Sequence, residues 1–445
     1  MRRFLRRTIG LFGRFLSGLH PAKLAGLGYL SYIILGWVVL SLPIAHRTPV
    51  GALDNLFIAT SAVSTTGLVT VSVSGSYSLF GQIVVLLLIQ LGGIGYMTVG
   101  SFVILSTRGG LSPQRSDVGK TVFSLPESFR IDKFIKSVML FTLLIELIGV
   151  AALWPILSAA GVSSPLGSAV FHSISAFCTA GFSLYDTSFE AFADNFWLNA
   201  VLAIVSYCGA IGFIVWVDCW RMFTGKIDRI TLTSRIILWS SLWLTVFGTA
   251  LIFATEPALK ERPVDQRLLA AFFQAMTAMT TVGFNTVPIG RLARATLLAL
   301  MVLMVIGASP SGTGGGVKST TVSALVGVMR SVLRGGSEVR FWGRVVPSAR
   351  VRTATASMGF YVLLLLLGTY LLELTERAEF EQILFEAASA LGTVGLSTGI
   401  TSGLSNVGKV IVILLMFTGR LGPLTFGMAV FFKPPTPPSD SDLAV

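Results

Sequence analysis

Apolar positions in this chain fall in continuous runs rather than in strict alternation with polar ones. Runs long enough to cross a bilayer, which takes about 20 residues, centre on residues 24 to 43, 79 to 105, 134 to 158, 196 to 220, 234 to 255, 295 to 309, 354 to 373 and 406 to 432. They predict eight transmembrane helices, with both termini on one side. Inside each successive pair of runs lies a stretch too short to cross: Asp54 to Ser64, Pro165 to Cys178, Asp265 to Thr280 and Glu379 to Gly392. Unpaired peptide groups are costly in lipid, so re-entrant backbone of this kind must be buried in protein or line a wet cavity.

The short stretches are copies of one phrase, recurring roughly 100 to 115 residues apart. The copies are Phe57 to Leu68, Phe171 to Phe182, Phe273 to Phe284 and Phe385 to Leu396, and they align without a gap. Each ends in a Thr-x-Gly triplet: Thr65, Thr66 and Gly67; Thr179, Ala180 and Gly181; Thr281, Val282 and Gly283; Thr393, Val394 and Gly395. A cation filter needs four loops around one axis, and Thr-x-Gly offers successive carbonyls while glycine tolerates the dihedrals that aim them inward. Half-helices that end at the filter would also bring their partially negative C-termini to it. A single Thr-x-Gly would read as a helix C-cap and a loop; four in step read as a filter. The middle positions differ, so the ring is unequal.

The expected fold is an all-α membrane protein: four pseudo-symmetric helix–pore-loop–helix units, with eight transmembrane helices and four re-entrant half-helices around one central pore. Residues 1–23 form a basic segment. The units span 24–105, 106–220, 221–330 and 331–432, and a Pro-rich tail covers 433–445. About 24 to 28 residues after each filter glycine, the second spans carry small residues at Gly92 and Gly95, Gly209 and Gly212, Gly307, and Gly419 and Gly422. These would let four helices approach closely below the filter.

Composition agrees: 53% of residues are hydrophobic and only 12% charged, far from the average for a soluble domain. The net charge of +12 lies in short segments beside spans. It therefore reads as a topology signal rather than as nucleic-acid binding. Basic residues crowd Arg2 to Lys23, Arg108 to Lys136, Arg221 to Arg235 and Arg330 to Arg352, whereas the alternate connections are mixed or acidic. This places both termini in the cytoplasm and the chain in the inner (cytoplasmic) membrane, in contact with lipid. Cys178, Cys208 and Cys219 read as reduced thiols without metal-ligand spacing, and no metal is expected beyond potassium in the filter. No nucleophile–base, paired-carboxylate or metal constellation points to an enzyme.

Two features suggest control of the pore. The third unit breaks at Gly307 to Lys318, where Pro310, Gly312, Thr313, Gly314, Gly315 and Gly316 disfavour helix. An intramembrane gate loop and a plain kink both account for the break. A nucleotide P-loop does not fit, because Val317 separates Gly316 from Lys318 and no strand precedes. Arg420 sits inside the last span, where a charge costs roughly 2.5 to 3.5 kcal/mol on insertion scales and must face protein or water. It reads either as a cationic barrier or latch below the filter, or as a salt bridge to Glu146.

With these residues in place, the chain resembles the bacterial Trk/Ktr and plant HKT superfamily of cation translocators, and most closely its Ktr-type membrane subunits, the KtrB group. The four Thr-x-Gly units, the break at Gly312 to Gly316 and the arginine at Arg420 carry the resemblance. It implies potassium uptake driven by the membrane potential and a homodimer with one pore in each protomer. It also implies a KtrA-like cytoplasmic ring of regulatory subunits, with the nucleotide bound on that partner and not on this chain. Some plant relatives with serine at the first filter position favour sodium; Gly67 stands there in this sequence. Two alternatives stay open: a sodium-permeable or sodium/potassium cotransporting relative, and an alternating-access secondary transporter. The latter would more often show inverted repeats.

The charge pattern predicts that reporters fused at Gly75 face outward and those at Gly335 inward. Protease protection of intact cells checks this, and the reverse pattern contradicts the topology.

Overall fold

The computed structural model describes residues 21–95, 131–307 and 309–431. The basic N-terminal cluster up to residue 20, most of the Arg108 to Lys136 connection, the end of the 79 to 105 run and the Pro-rich tail lie outside the described residues. The first repeat runs through α1 (Pro21–Leu40), α2 (Ala52–Val63) and α3 (Leu79–Ile94). The second is α4 (Ile131–Ala159), α5 (Pro165–Phe177), α6 (Phe196–Ala210) and α7 (Phe213–Phe223). The third is α8 (Leu232–Thr255), α9 (Val264–Thr280), α10 (Arg294–Val305) and α11 (Ser319–Leu333). A hairpin of β1 (Arg340–Phe341) and β2 (Arg344–Val345) leads to the fourth: α12 (Ser348–Thr375), α13 (Phe380–Gly392), α14 (Asn406–Leu421) and α15 (Pro423–Phe431).

Helices α1, α4, α8 and α12 are long and apolar enough to cross a membrane. Their outer faces carry exposed Leu35, Leu140, Leu147, Phe247, Leu366 and Tyr370, and an apolar face of that extent needs lipid rather than water. The short helices α2, α5, α9 and α13 begin and end close to where the sequence puts them. Pro165 opens α5 at its first turn, and Glu379 caps α13 reciprocally with Gln382.

The expected second spans are not straight helices. α6 and α7 meet at 93°, and α14 and α15 at 99°. The hinges are Gly212 at φ 96° and Gly422 at φ 86°; α3 likewise stops at Gly95, φ 86°. Only glycine enters this region freely. α10 is a helix of 12 residues that stops before the Gly307 to Lys318 break. The glycines expected to let four second spans pack together thus do two other jobs. The later one in each pair turns the chain. The earlier one lets the helix press on the end of a short helix: a Cβ on Gly92, Gly209 or Gly419 would fall within 3.0 Å of the Val63, Phe177 or Leu391 carbonyl.

The repeated phenylalanine holds neighbouring repeats together. Phe57, Phe273 and Phe385 are fully buried and Phe171 nearly so. Phe57 belongs to the cluster that contains Ile383, Leu391 and Met416 of the fourth repeat. Phe273 joins Phe177, Phe182 and Phe189 of the second, and Phe385 joins Ala271 and Met304 of the third. Each such ring withdraws a large apolar area from solvent, worth about 1.5–3 kcal/mol. The short helices are therefore anchored across repeat boundaries.

Candidate functional site

Each short helix ends in the same hydrogen-bond closure. In the first repeat the Thr65 amide donates to the Ala62 carbonyl at 3.1 Å and the Thr66 amide to Ser61 at 2.9 Å. The same pair of bonds recurs from Thr179 and Ala180 to Ala176 and Ser175, from Thr281 and Val282 to Ala278 and Thr277, and from Thr393 and Val394 to Ala390 and Ser389. This is the Schellman closure of a helix C-terminus, whose turning residue is left-handed and usually glycine. Here it is threonine every time: Thr65, Thr179, Thr281 and Thr393 have φ of 51°, 49°, 58° and 51°. A β-branched residue in that region is a steric outlier.

Past each threonine the chain meets its neighbour. A Cβ on Gly67 would fall within 3.0 Å of the Ala180 carbonyl, on Gly181 of Val282, on Gly283 of Val394, and on Gly395 of Thr66. The contacts run from the first segment to the second, third, fourth and back to the first. The four triplets therefore form a closed ring in sequence order. Their glycines sit at φ of 93°, 66°, 82° and 96°, so a side chain is opposed both by conformation and by space. All twelve residues named from the sequence meet here, and the threonines and middle residues are fully buried.

Hydroxyls support the ring from behind. Ser61 Oγ accepts from the Gly67 amide at 3.1 Å and Ser389 Oγ from the Gly395 amide at 3.0 Å, while Ser175 Oγ donates to the Phe182 carbonyl at 2.8 Å. Thr281 Oγ1 is buried without a hydrogen-bond partner. On the outer side, Asn285 Nδ2 donates to Glu190 Oε1 at 2.8 Å. Burial pushes the Glu190 carboxyl above its ordinary range, opposed by that bond and by Arg291.

The glycine-rich break lies against the base of the ring. Thr313 Oγ1 is 3.0 Å from Thr179 Oγ1 and donates to the Phe177 carbonyl at 3.1 Å; the Thr313 amide donates to Gly209 at 3.1 Å. The Gly315 amide donates to Thr393 Oγ1 at 3.0 Å. A cavity of about 530 Å³ lies beyond the break, lined by Tyr29, Gly316, Lys318, Arg350 and Arg420 but by no residue of the four triplets. Lys318 Nζ donates to the Gly314 carbonyl at 2.6 Å. Gly312 is held by Ser309 at 3.1 Å.

Arg420 does not pair with Glu146. Its guanidinium donates to Thr65 Oγ1 at 2.9 Å, to the Gly93 carbonyl at 3.2 Å, and at short range to the Thr313 and Gly92 carbonyls. Glu146 instead accepts from Gln90 Nε2 at 3.2 Å. A planar five-donor fork suits several carbonyls at once, and a search for acidic partners along the sequence misses them. Arg420 thereby joins the first triplet, the break in the third repeat and the end of α3.

Residues 30–439 match the TrkH family, described as cation transport protein. The chain belongs to that family. The Ktr system potassium uptake protein B of Bacillus subtilis is 33% identical over 411 residues, 91% of this chain and 92% of that protein. The potassium/sodium uptake protein NtpJ of Enterococcus hirae is 31% identical over 425 residues, covering 93% of this chain and 94% of that protein. The crystal structure of the potassium transporter TrkH from Vibrio parahaemolyticus shares the fold at TM-score 0.71 and 19% identity, over 91% of this chain and 84% of that one. This TrkH-family chain is thus a helical membrane protein of the cation-transport class, as its repeats and apolar runs suggested.

One consequence is testable at Arg420. A charge-assisted hydrogen bond is worth about 1.5–3 kcal/mol, and 1.4 kcal/mol is tenfold in an equilibrium. Arg420→Ala is predicted to raise cation flux through purified, reconstituted protein by about tenfold or more, with its elution as a folded species unchanged. Loss of folded protein would instead mark Arg420 as structural.

Proposed function

We propose that this chain takes up potassium ions across the cytoplasmic membrane, down the electrical gradient, through the ring of Thr65–Gly67, Thr179–Gly181, Thr281–Gly283 and Thr393–Gly395. The observation that carries the proposal is the closed cyclic order of the four triplets, because four inward-turned backbones in one ring are what exchanges an ion's water shell for carbonyl oxygens. The short helices bring their C-terminal partial charges, about half an elementary charge each, to the base of that ring and favour a cation. Thr281 Oγ1, buried and unpartnered, offers one further oxygen. Potassium is the cargo here.

The break at Gly312 to Gly316 acts as the gate. It lies between the ring and the cavity and is tied to three of the four turning threonines or their helices, so an ion passes only if it moves aside. Arg420 latches it, and Lys318 stiffens it from below. Both termini face the cytoplasm, as the basic segments argue. The chain works as a homodimer under a cytoplasmic nucleotide-binding ring; the Ktr-system names of its relatives support a multicomponent assembly, with the nucleotide on the partner.

A sodium-permeable reading has one specific support, the relative named for both potassium and sodium uptake. The two separate in liposomes. Under an imposed potential, potassium and rubidium flux is predicted to exceed sodium and lithium flux well over tenfold in wild type. Gly67→Ser, which needs the Ala180 carbonyl to shift, is predicted to narrow that gap. Equal sodium flux in wild type would transfer the assignment to the sodium-permeable class.

A further inference from the structure

We infer that the residue directly after each repeated phenylalanine sets the rigidity of the filter's outer limb, and that His172, Gln274 and Glu386 are specificity-determining positioning residues. The inference rests on the ring being the ion path. The four equivalent positions are Ile58, His172, Gln274 and Glu386, and all four are completely buried. Three are polar, and each reaches from the short helix to the strand of chain that leaves its own filter glycine.

His172 Nε2 accepts from the Leu184 amide at 3.2 Å and lies 3.1 Å from Ser183 Oγ. An amide can only donate, so Nε2 is unprotonated. The ring proton is therefore on Nδ1, which faces the Ser168 carbonyl at 2.9 Å. Gln274 Nε2 donates to Thr286 Oγ1 at 3.2 Å. Glu386 accepts from Ser397 Oγ at 2.8 Å on one carboxylate oxygen and from Thr401 Oγ1 at short range on the other. Ser183 and Ser397 each stand two residues past their glycine, and Thr286 three residues past. Ser397 also accepts from the Gly399 amide at 3.0 Å, so the carboxylate's partner also holds the turn at Gly399.

The first repeat lacks the strut. Ile58 replaces the polar residue, Val69 stands where Ser183 and Ser397 stand, and Thr70, in the register of Thr286, is buried without a hydrogen-bond partner. The inner hydroxyl support, by contrast, is present there, with Ser61 on the Gly67 amide. The missing strut is thus a local difference and not a decayed repeat. Three limbs are held by hydrogen bonds to a fully buried side chain, and breaking one leaves that buried polar group unpaired. The first limb has no such buried strut, only the exposed bond of Ser72 Oγ to Asp186 Oδ1 at 2.5 Å, and is the compliant wall of the ring. A ring whose walls resist a small inward collapse holds carbonyls at the spacing of a larger cation and leaves a smaller one undercoordinated.

The test compares Glu386→Leu, Glu386→Gln and Ser397→Ala with wild type, reading the potassium-to-sodium flux ratio in liposomes alongside elution and thermal midpoint. Glu386→Leu, which loses the bonds from both Ser397 and Thr401, is predicted to lower the ratio by about tenfold or more. Ser397→Ala should shift it in the same direction, and Glu386→Gln, which keeps an acceptor oxygen, should recover most of it. Stability alone would move the midpoint without moving the ratio. If Glu386→Leu does not fold, the decision passes to Ser397→Ala and His172→Gln against His172→Leu. Folded variants with the wild-type ratio overturn the struts and leave the filter intact. A wild-type protein without discrimination overturns the filter reading and the struts with it.

Discussion

Four threonines held in the left-handed region are the constraint on which the rest of the molecule depends. Each costs of order 1–3 kcal/mol in backbone strain, and persists because the surroundings over-determine it. A Schellman pair closes the helix behind it, a phenylalanine buried in the core of the preceding repeat anchors that helix, and glycine two residues later leaves no Cβ to obstruct the neighbouring carbonyl. The turn at threonine directs the chain from helix into ring. The close approach of the four glycines then shuts the ring in sequence order.

The same threonines serve as attachment points for the element below them. Thr179 and Thr393 hydroxyls bond the third-repeat break directly, and Thr65 shares Arg420 with it. The break and the ring base are therefore joined by hydrogen bonds. The four repeats contribute unequally: the third supplies the glycine-rich break, the fourth the arginine, the second the contacts of α5, and the first the receiving carbonyls of Gly92 and Gly93. Near fourfold backbone geometry carries an asymmetric set of side-chain functions. That division of labour is open to one chain with four copies and closed to a tetramer of identical ones.

Much of this was legible in the residues. The repeated phrase located the short helices to within a few positions and named all twelve ring residues, because Thr-x-Gly in four copies leaves little else to fit. The left-handed threonines were not legible, since glycine is the residue that normally marks such a turn and glycine comes two positions later. The near-perpendicular bends at Gly212 and Gly422 were masked for a related reason. A small residue in an apolar run reads equally as a packing contact, and Gly209 and Gly419 do make that contact while their successors break the helix. Arg420 was singled out by its charge, but its partners are backbone carbonyls, which carry no signature in sequence. The struts did carry one: Ile58, His172, Gln274 and Glu386 occupy a single register of the repeat, and the one apolar member is in the first unit, where Val69 also replaces the serine of Ser183 and Ser397.

The most direct measurement is the position of a heavy potassium analogue in the protein. Rubidium or thallium bound to crystals and located by anomalous scattering is predicted to lie on the axis of the ring, among the carbonyls of the four Thr-x-Gly triplets and above the Gly312 to Gly316 break. Anomalous density absent from that axis and concentrated elsewhere, in protein that still carries potassium flux, would contradict the assignment of the ring as the ion path.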